Sequence, residues 1–193
     1  MRFPALTTTF CLATLGFSAS DVFAQPTFAS QQHEKMHDKG GEPPGEFVRI
    51  VRESTARFRD VRVAIAEGYV LQFGCVSGPD EGAMGMHFVK GSLVGDGELE
   101  VTNPEIVIYE PTPTGRLRLI GADYLVLADP WHAKHDGAPE LLGQLFHLFE
   151  SPNRFGLPAF YTLHVWAWKE NPSGTFVNWH PDVSCDGYSG ESN

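Results

Sequence analysis

Between Phe160 and Trp168 the chain reads FYTLHVWAW, nine residues without glycine, proline or a charged side chain. A strand sends successive side chains to opposite faces, so this run divides cleanly. Tyr161, Leu163, Val165 and Ala167 form one face, that of an ordinary core. Phe160, Thr162, His164, Trp166 and Trp168 form the other, aromatic but interrupted by a histidine and a threonine. Such a face suits the lining of a cavity or the mouth of a barrel. It equally suits tryptophans packed beneath a second layer, with His164 bonded to a backbone carbonyl.

Other segments supply partners for this strand. MGMHFVK puts Met84, Met86 and Phe88 on a buried face and His87 on the opposite one. EIVIYE (Glu105 to Glu110) and RLRLIGADYLVL (Arg116 to Leu127) flank Pro-Thr-Pro-Thr-Gly and predict a hairpin, with a bulge at Gly121. Ala138 to Glu150 predicts a short helix, and TFVNW after the turn at Asn171 to Gly174 a last short strand. Upstream, Phe47, Val51, Phe58, Val61 and Ile65 recur at helical spacing and predict one amphipathic helix from Glu46 to near Gly68. The expected fold is therefore α+β, a twisted antiparallel sheet of about five or six strands, open or closing toward a barrel, covered by a long N-terminal helix. A cupin-like or lipocalin-like barrel is the architectural alternative. Against a cupin, no paired His-x-His surrounds His87.

Residues 1–24 carry the marks of a secretory signal peptide: Arg2, an apolar run and small residues before a cut that leaves Gln25 first. Residues 25–45 are polar and glycine- and proline-rich, a disordered leader by composition. Residues 46–193 remain as a single α+β domain. Removing the signal takes Cys11 with it, so Cys75 and Cys185 are left to pair in an oxidising compartment, secreted or periplasmic. With a formal net charge of -10, the chain repels phosphate backbones and anionic bilayers. Neither nucleic acid nor, once the signal is gone, a membrane is an expected partner; a small-molecule ligand is. Oligomeric state is not legible.

Three sets of side chains have the composition of a metal site. His33-Glu34-Lys35-Met36-His37 matches H-E-x-x-H, a pattern that needs a seated helix. Gly40, Gly41 and the polar leader deny it one. Asp129, His132, His135 and Asp136 share a loop with thin apolar anchoring. The preferred constellation is dispersed: His87 and His164 on two strands, with Glu110 ending a third. Two imidazoles and a carboxylate with open positions are what a single transition metal ion, copper, zinc, iron or manganese, requires to activate water or dioxygen. Tyr109, Trp166, Trp168 and His180 are the candidate ligand-binding residues around it. No Walker loop, G-x-G-x-x-G or G-x-S-x-G is present, so no nucleotide cofactor is expected.

The ordered runs MGMHFVKG, VIYEPTPTGRLRLIG followed by Tyr124, and LHVWAWKENPSGTFVNWHPDVSC resemble a pattern recurring in secreted bacterial proteins of unassigned activity. The resemblance spans Glu46 to Cys185; it implies one domain and carries no activity across. From the residues, two functions stay open. One is a His/carboxylate metal-binding protein, with or without enzymatic action on a small organic or saccharide substrate. The other is a non-catalytic small-ligand binding module with an aromatic-lined cavity, in which Tyr109, Trp166 and Trp168 stack on the ligand.

Overall fold

The computed structural model describes residues 45–190. The expected signal peptide, the leader up to residue 44 and the His33 to His37 motif lie outside the described residues.

The helical segment is three pieces rather than one. Helix α1 (Glu46–Thr55) passes into a 3-10 turn (Ala56–Arg59), and α2 (Val61–Ala66) follows. The break has local causes. Ser54 and Thr55 both turn their hydroxyls back onto the carbonyl of Val51, the competition that makes such residues poor helix interiors. Asp60 then leaves helical space, at φ -96° and ψ 106°, and its side chain accepts from the N–H of Arg62 to cap α2. The expected continuous stripe is consequently split. Phe47 and Val51 pack on one part of the sheet and Phe58 and Ala64 on another, while Ile65 is 54% exposed.

Six strands build an antiparallel sheet in the order β1-β2-β3-β4-β8-β7, curled into a half-barrel. They are β1 (Val70–Ser77), β2 (Ala83–Val89), β3 (Ile106–Pro111), β4 (Leu117–Leu127), β7 (His147–Phe149) and β8 (Phe160–Val165). Short helices α3 (Gly91–Val94) and α4 (Ala128–His132) follow β2 and β4, and β5 (Glu140–Leu141) and β6 (Gln144–Leu145) form a separate hairpin. The α+β class and the antiparallel sheet are as expected. The helix expected at Ala138 to Glu150 is replaced by β5, β6 and β7. Leu142 and Gly143 both take positive φ, 47° and 80°, in the two-residue turn whose twist suits a tight hairpin. TFVNW makes no strand; beyond it only an isolated bridge joins Ala83 to His180.

The sheet has two dissimilar faces. Toward α1, α2 and the 3-10 turn it presents Val107, Tyr109, Ala122, Tyr124, Leu163 and Val165. The other face carries Ile106, Ile108, Leu125, Phe160 and Trp166 around four buried polar residues, His87, Asp123, Thr162 and His164. Bulges set which residue goes where. In β4 the register skips Ile120, beside the expected Gly121, where an added Cβ would come within 2.6 Å of the Val165 carbonyl oxygen. In β2 it skips Met84, next to Gly85 at φ 92°. Met84 therefore shares the cavity with His87 instead of opposing it.

Two links close the fold. Cys75 on β1 is bonded to Cys185, with Cα atoms 5.8 Å apart, as expected. Across the open side, Phe73 of β1 meets Phe155, their ring centroids 5.3 Å apart, and Arg154 donates to the Ser77 carbonyl. Among the described residues no helix is long and apolar enough to cross a membrane. That and the disulfide are compatible with export.

Candidate metal centre

Antiparallel pairing brings the chemistry together. Asp123 on β4 sits directly opposite His164 on β8, and His87 on β2 lies two strands away, opposite Ile108 of β3. One potential ligand atom from each of His87, Asp123 and His164 lies within 4.8 Å of the other two, and all three residues are buried. The Nε2 atoms of His87 and His164 face each other at 3.3 Å. Two nitrogens bound at about 2.0–2.1 Å to one tetrahedral ion stand roughly 3.3–3.4 Å apart, so the pair already has the edge length of such a centre.

Each member is oriented by its neighbours. The Nδ1 of His87 lies 3.2 Å from the carbonyl of Gly85, a group made available by the β2 bulge. A ring nitrogen donating to a carbonyl leaves the other nitrogen free to ligate. Thr162 donates its hydroxyl to Oδ1 of Asp123 at 2.5 Å. That same oxygen is 3.5 Å from Nδ1 of His164, a buried nitrogen with no hydrogen bond of ordinary geometry.

Electrostatics favour the ligating protonation state. Burial pushes both imidazoles well below the usual histidine range, His164 further depressing His87 and His147 further depressing His164. Both are therefore neutral at pH 7. Burial pushes the Asp123 carboxyl up, against the stabilising influence of His87, Thr162 and the Leu163 backbone. A cation arriving among two neutral rings and a buried carboxylate offsets the desolvation that now burdens that acid.

The remaining sequence candidates are placed elsewhere. Glu110 gives one oxygen to Lys169 at 2.8 Å and the other to Arg118. Burial alone would raise its pKa, but these two partners outweigh it and hold the acid below its ordinary value. It is not one of the three grouped residues; the carboxylate beside the histidines is Asp123. Tyr109 is fully buried on the helix-facing side, its hydroxyl donating to the Phe58 carbonyl. Trp166 is buried and its indole N–H donates to Val177. Trp168 does not share the face of His164. The Ala167 N–H turns back onto Val165, breaking the alternation, and Trp168 packs under the helices with its N–H on Thr55 and Arg59 over its ring. His180 is fully buried, held between the Glu170 carbonyl and the Asp182 N–H. In the Asp129 to Asp136 segment, His132 contacts the Tyr161 hydroxyl and His135 stacks on Trp131.

Sequence reasoning passed over Asp123 and Thr162 as site residues. Asp123 had a visible mark: it is the single charge in LIGADYLVL, where an acid has no solvated face to occupy.

His87, Asp123 and His164 line part of a cavity of about 400 Å³. Its other walls are apolar, with Phe73, Phe149, Phe155, Phe160 and Leu157 toward the open side of the half-barrel. No family profile, no curated protein and no solved structure matches this chain.

Proposed function

We propose that this protein binds a single divalent transition metal ion through His87, His164 and Asp123, in the wall of an apolar cavity that takes a small organic molecule. The observation that carries the reading is the convergence of three buried polar side chains from three strands on one point, with the two imidazole Nε2 atoms at the ligand–ligand distance of a metal centre. Two histidines and one carboxylate leave positions open on the ion, the arrangement used to polarise a substrate oxygen or activate a bound water. The chemistry admits zinc, iron, manganese or copper.

The test is direct. Purified protein stripped with chelator and titrated with zinc or cobalt should take up one ion per chain, cobalt giving visible ligand-field bands. His87→Ala and His164→Ala should each abolish that uptake while Glu110→Gln keeps it. Absence of stoichiometric binding by the unaltered chain would defeat the reading, and loss on Glu110→Gln with retention in the histidine variants would move the site.

A further inference from the structure

The cavity lined by the grouped residues has a composition of its own. Four phenyl rings line it, those of Phe73, Phe149, Phe155 and Phe160. Phe149 and Phe160 are nearly parallel with centroids 5.1 Å apart, and Phe155 meets Phe160 edge-on at 6.2 Å. Aromatic walls set at these angles offer both stacked and edge contacts to a further ring. No lysine or arginine is among the lining residues, so nothing there offsets the desolvation of an anionic or phosphorylated ligand. Polar side chains are sparse: Gln72 is on β1, Thr162 is committed to Asp123, and the rest are the grouped residues themselves.

From this distribution we infer that the cavity takes a neutral aromatic molecule carrying one oxygen donor, its ring among the phenylalanines and its hydroxyl or carbonyl oxygen at an open position of the ion. The inference rests on the metal-binding reading and adds to it the ligand class. Apolar walls supply affinity without orientation, and one polar end fixes which way the molecule lies. A saccharide, with hydroxyls on every side, would leave most of them unpaired against phenyl rings.

Naphthalene and 2-naphthol separate the two contributions, since they share a ring system and differ by one oxygen. Binding of each to the full chain is measured calorimetrically in the zinc-stripped and zinc-loaded forms, with zinc uptake read separately. The expected result is one site per chain for both probes, with loading strengthening 2-naphthol by about ten-fold or more and leaving naphthalene unchanged. Phe155→Ala, at a partly buried loop position outside the strands, should weaken both probes in both forms and leave zinc stoichiometry at one, with circular dichroism checking that the variant keeps the fold. No gain in 2-naphthol affinity on loading, or an equal gain for naphthalene, would overturn the inference while zinc uptake stands. So would failure of both to bind, or indifference of both to Phe155→Ala. Failure of zinc to bind overturns the metal reading and this inference with it, and the uptake measurement identifies that case.

Discussion

Asp123 occupies a position where an aliphatic side chain would fold at less cost. Its neighbours along β4 are apolar, and it is only 2% exposed. A buried carboxylate without a cation is a burden on stability, which separates its structural effect from its binding effect. Asp123→Asn should weaken zinc binding by at least the roughly 10- to 100-fold that loss of a partner orienting a ligand costs, without lowering the thermal midpoint of the metal-free chain; paired zinc titration and calorimetric melting check this. Glu105 carries a related load. It is 2% exposed, accepts from the Leu125 N–H, and burial raises its carboxyl to about 8. A group whose pKa is higher folded than unfolded favours the folded chain most below the unfolded value, and that advantage fades as pH rises through the folded one. The window here runs from an ordinary carboxylate pKa up to about 8. Glu105→Gln should therefore stabilise the chain more at pH 9 than at pH 5, as denaturant melts at the two pH values would show; equal gains would contradict the assignment.

At the scale of elements, the site depends on irregularities in otherwise regular strands. Gly121 lets the end of β8 pass within contact distance of β4, and a methyl there would meet the Val165 carbonyl at 2.6 Å. Gly121→Ala should cost about 1–3 kcal/mol and, by pushing β8 outward, lower zinc affinity, measured by urea melts and metal titration. Asp60→Ala, which removes the cap of α2, should cost about 1 kcal/mol and leave the metal site untouched. These same features explain what was readable. β8 and the hairpin of β3 and β4 were legible because their periodicity is strict over most of their length. Strand β1 was not, because Phe73 and Gly74, at φ 63° and 65°, interrupt VLQFGCVS and scramble its alternation. The pairing of His87 with His164 followed from strand faces, whereas the choice of Asp123 over Glu110 turned on which cations lie nearby. Lys169 and Arg118 reach Glu110 from the chain after β8 and from β4, and no spacing rule records that. Trp168 was misplaced because a turn at Ala167 ended the alternation inside a run that still looked like strand.

For the molecule as a whole, the disulfide joins positions 110 residues apart and thereby most of the folded chain. In the chain-entropy account a bridge of that span contributes roughly 4–5 kcal/mol, a large share of a typical net stability of about 5–15 kcal/mol. The double variant Cys75→Ala with Cys185→Ala should lose about that much in denaturant unfolding, and reduction of the unaltered protein should reproduce the loss. Cys75 packs with Met86, Phe88 and Tyr109 on the helix-facing side, away from the histidines, so zinc affinity measured well below the melting temperature should change little. The skipped residues in β2 and β4 have a last effect. Sliding either strand by one position would exchange the tenants of its two sides, turning His87 or Asp123 toward the greasy underside of the helices. Those kinks therefore act as an alignment key, admitting only the threading in which the nitrogens and the carboxylate look into the same hollow.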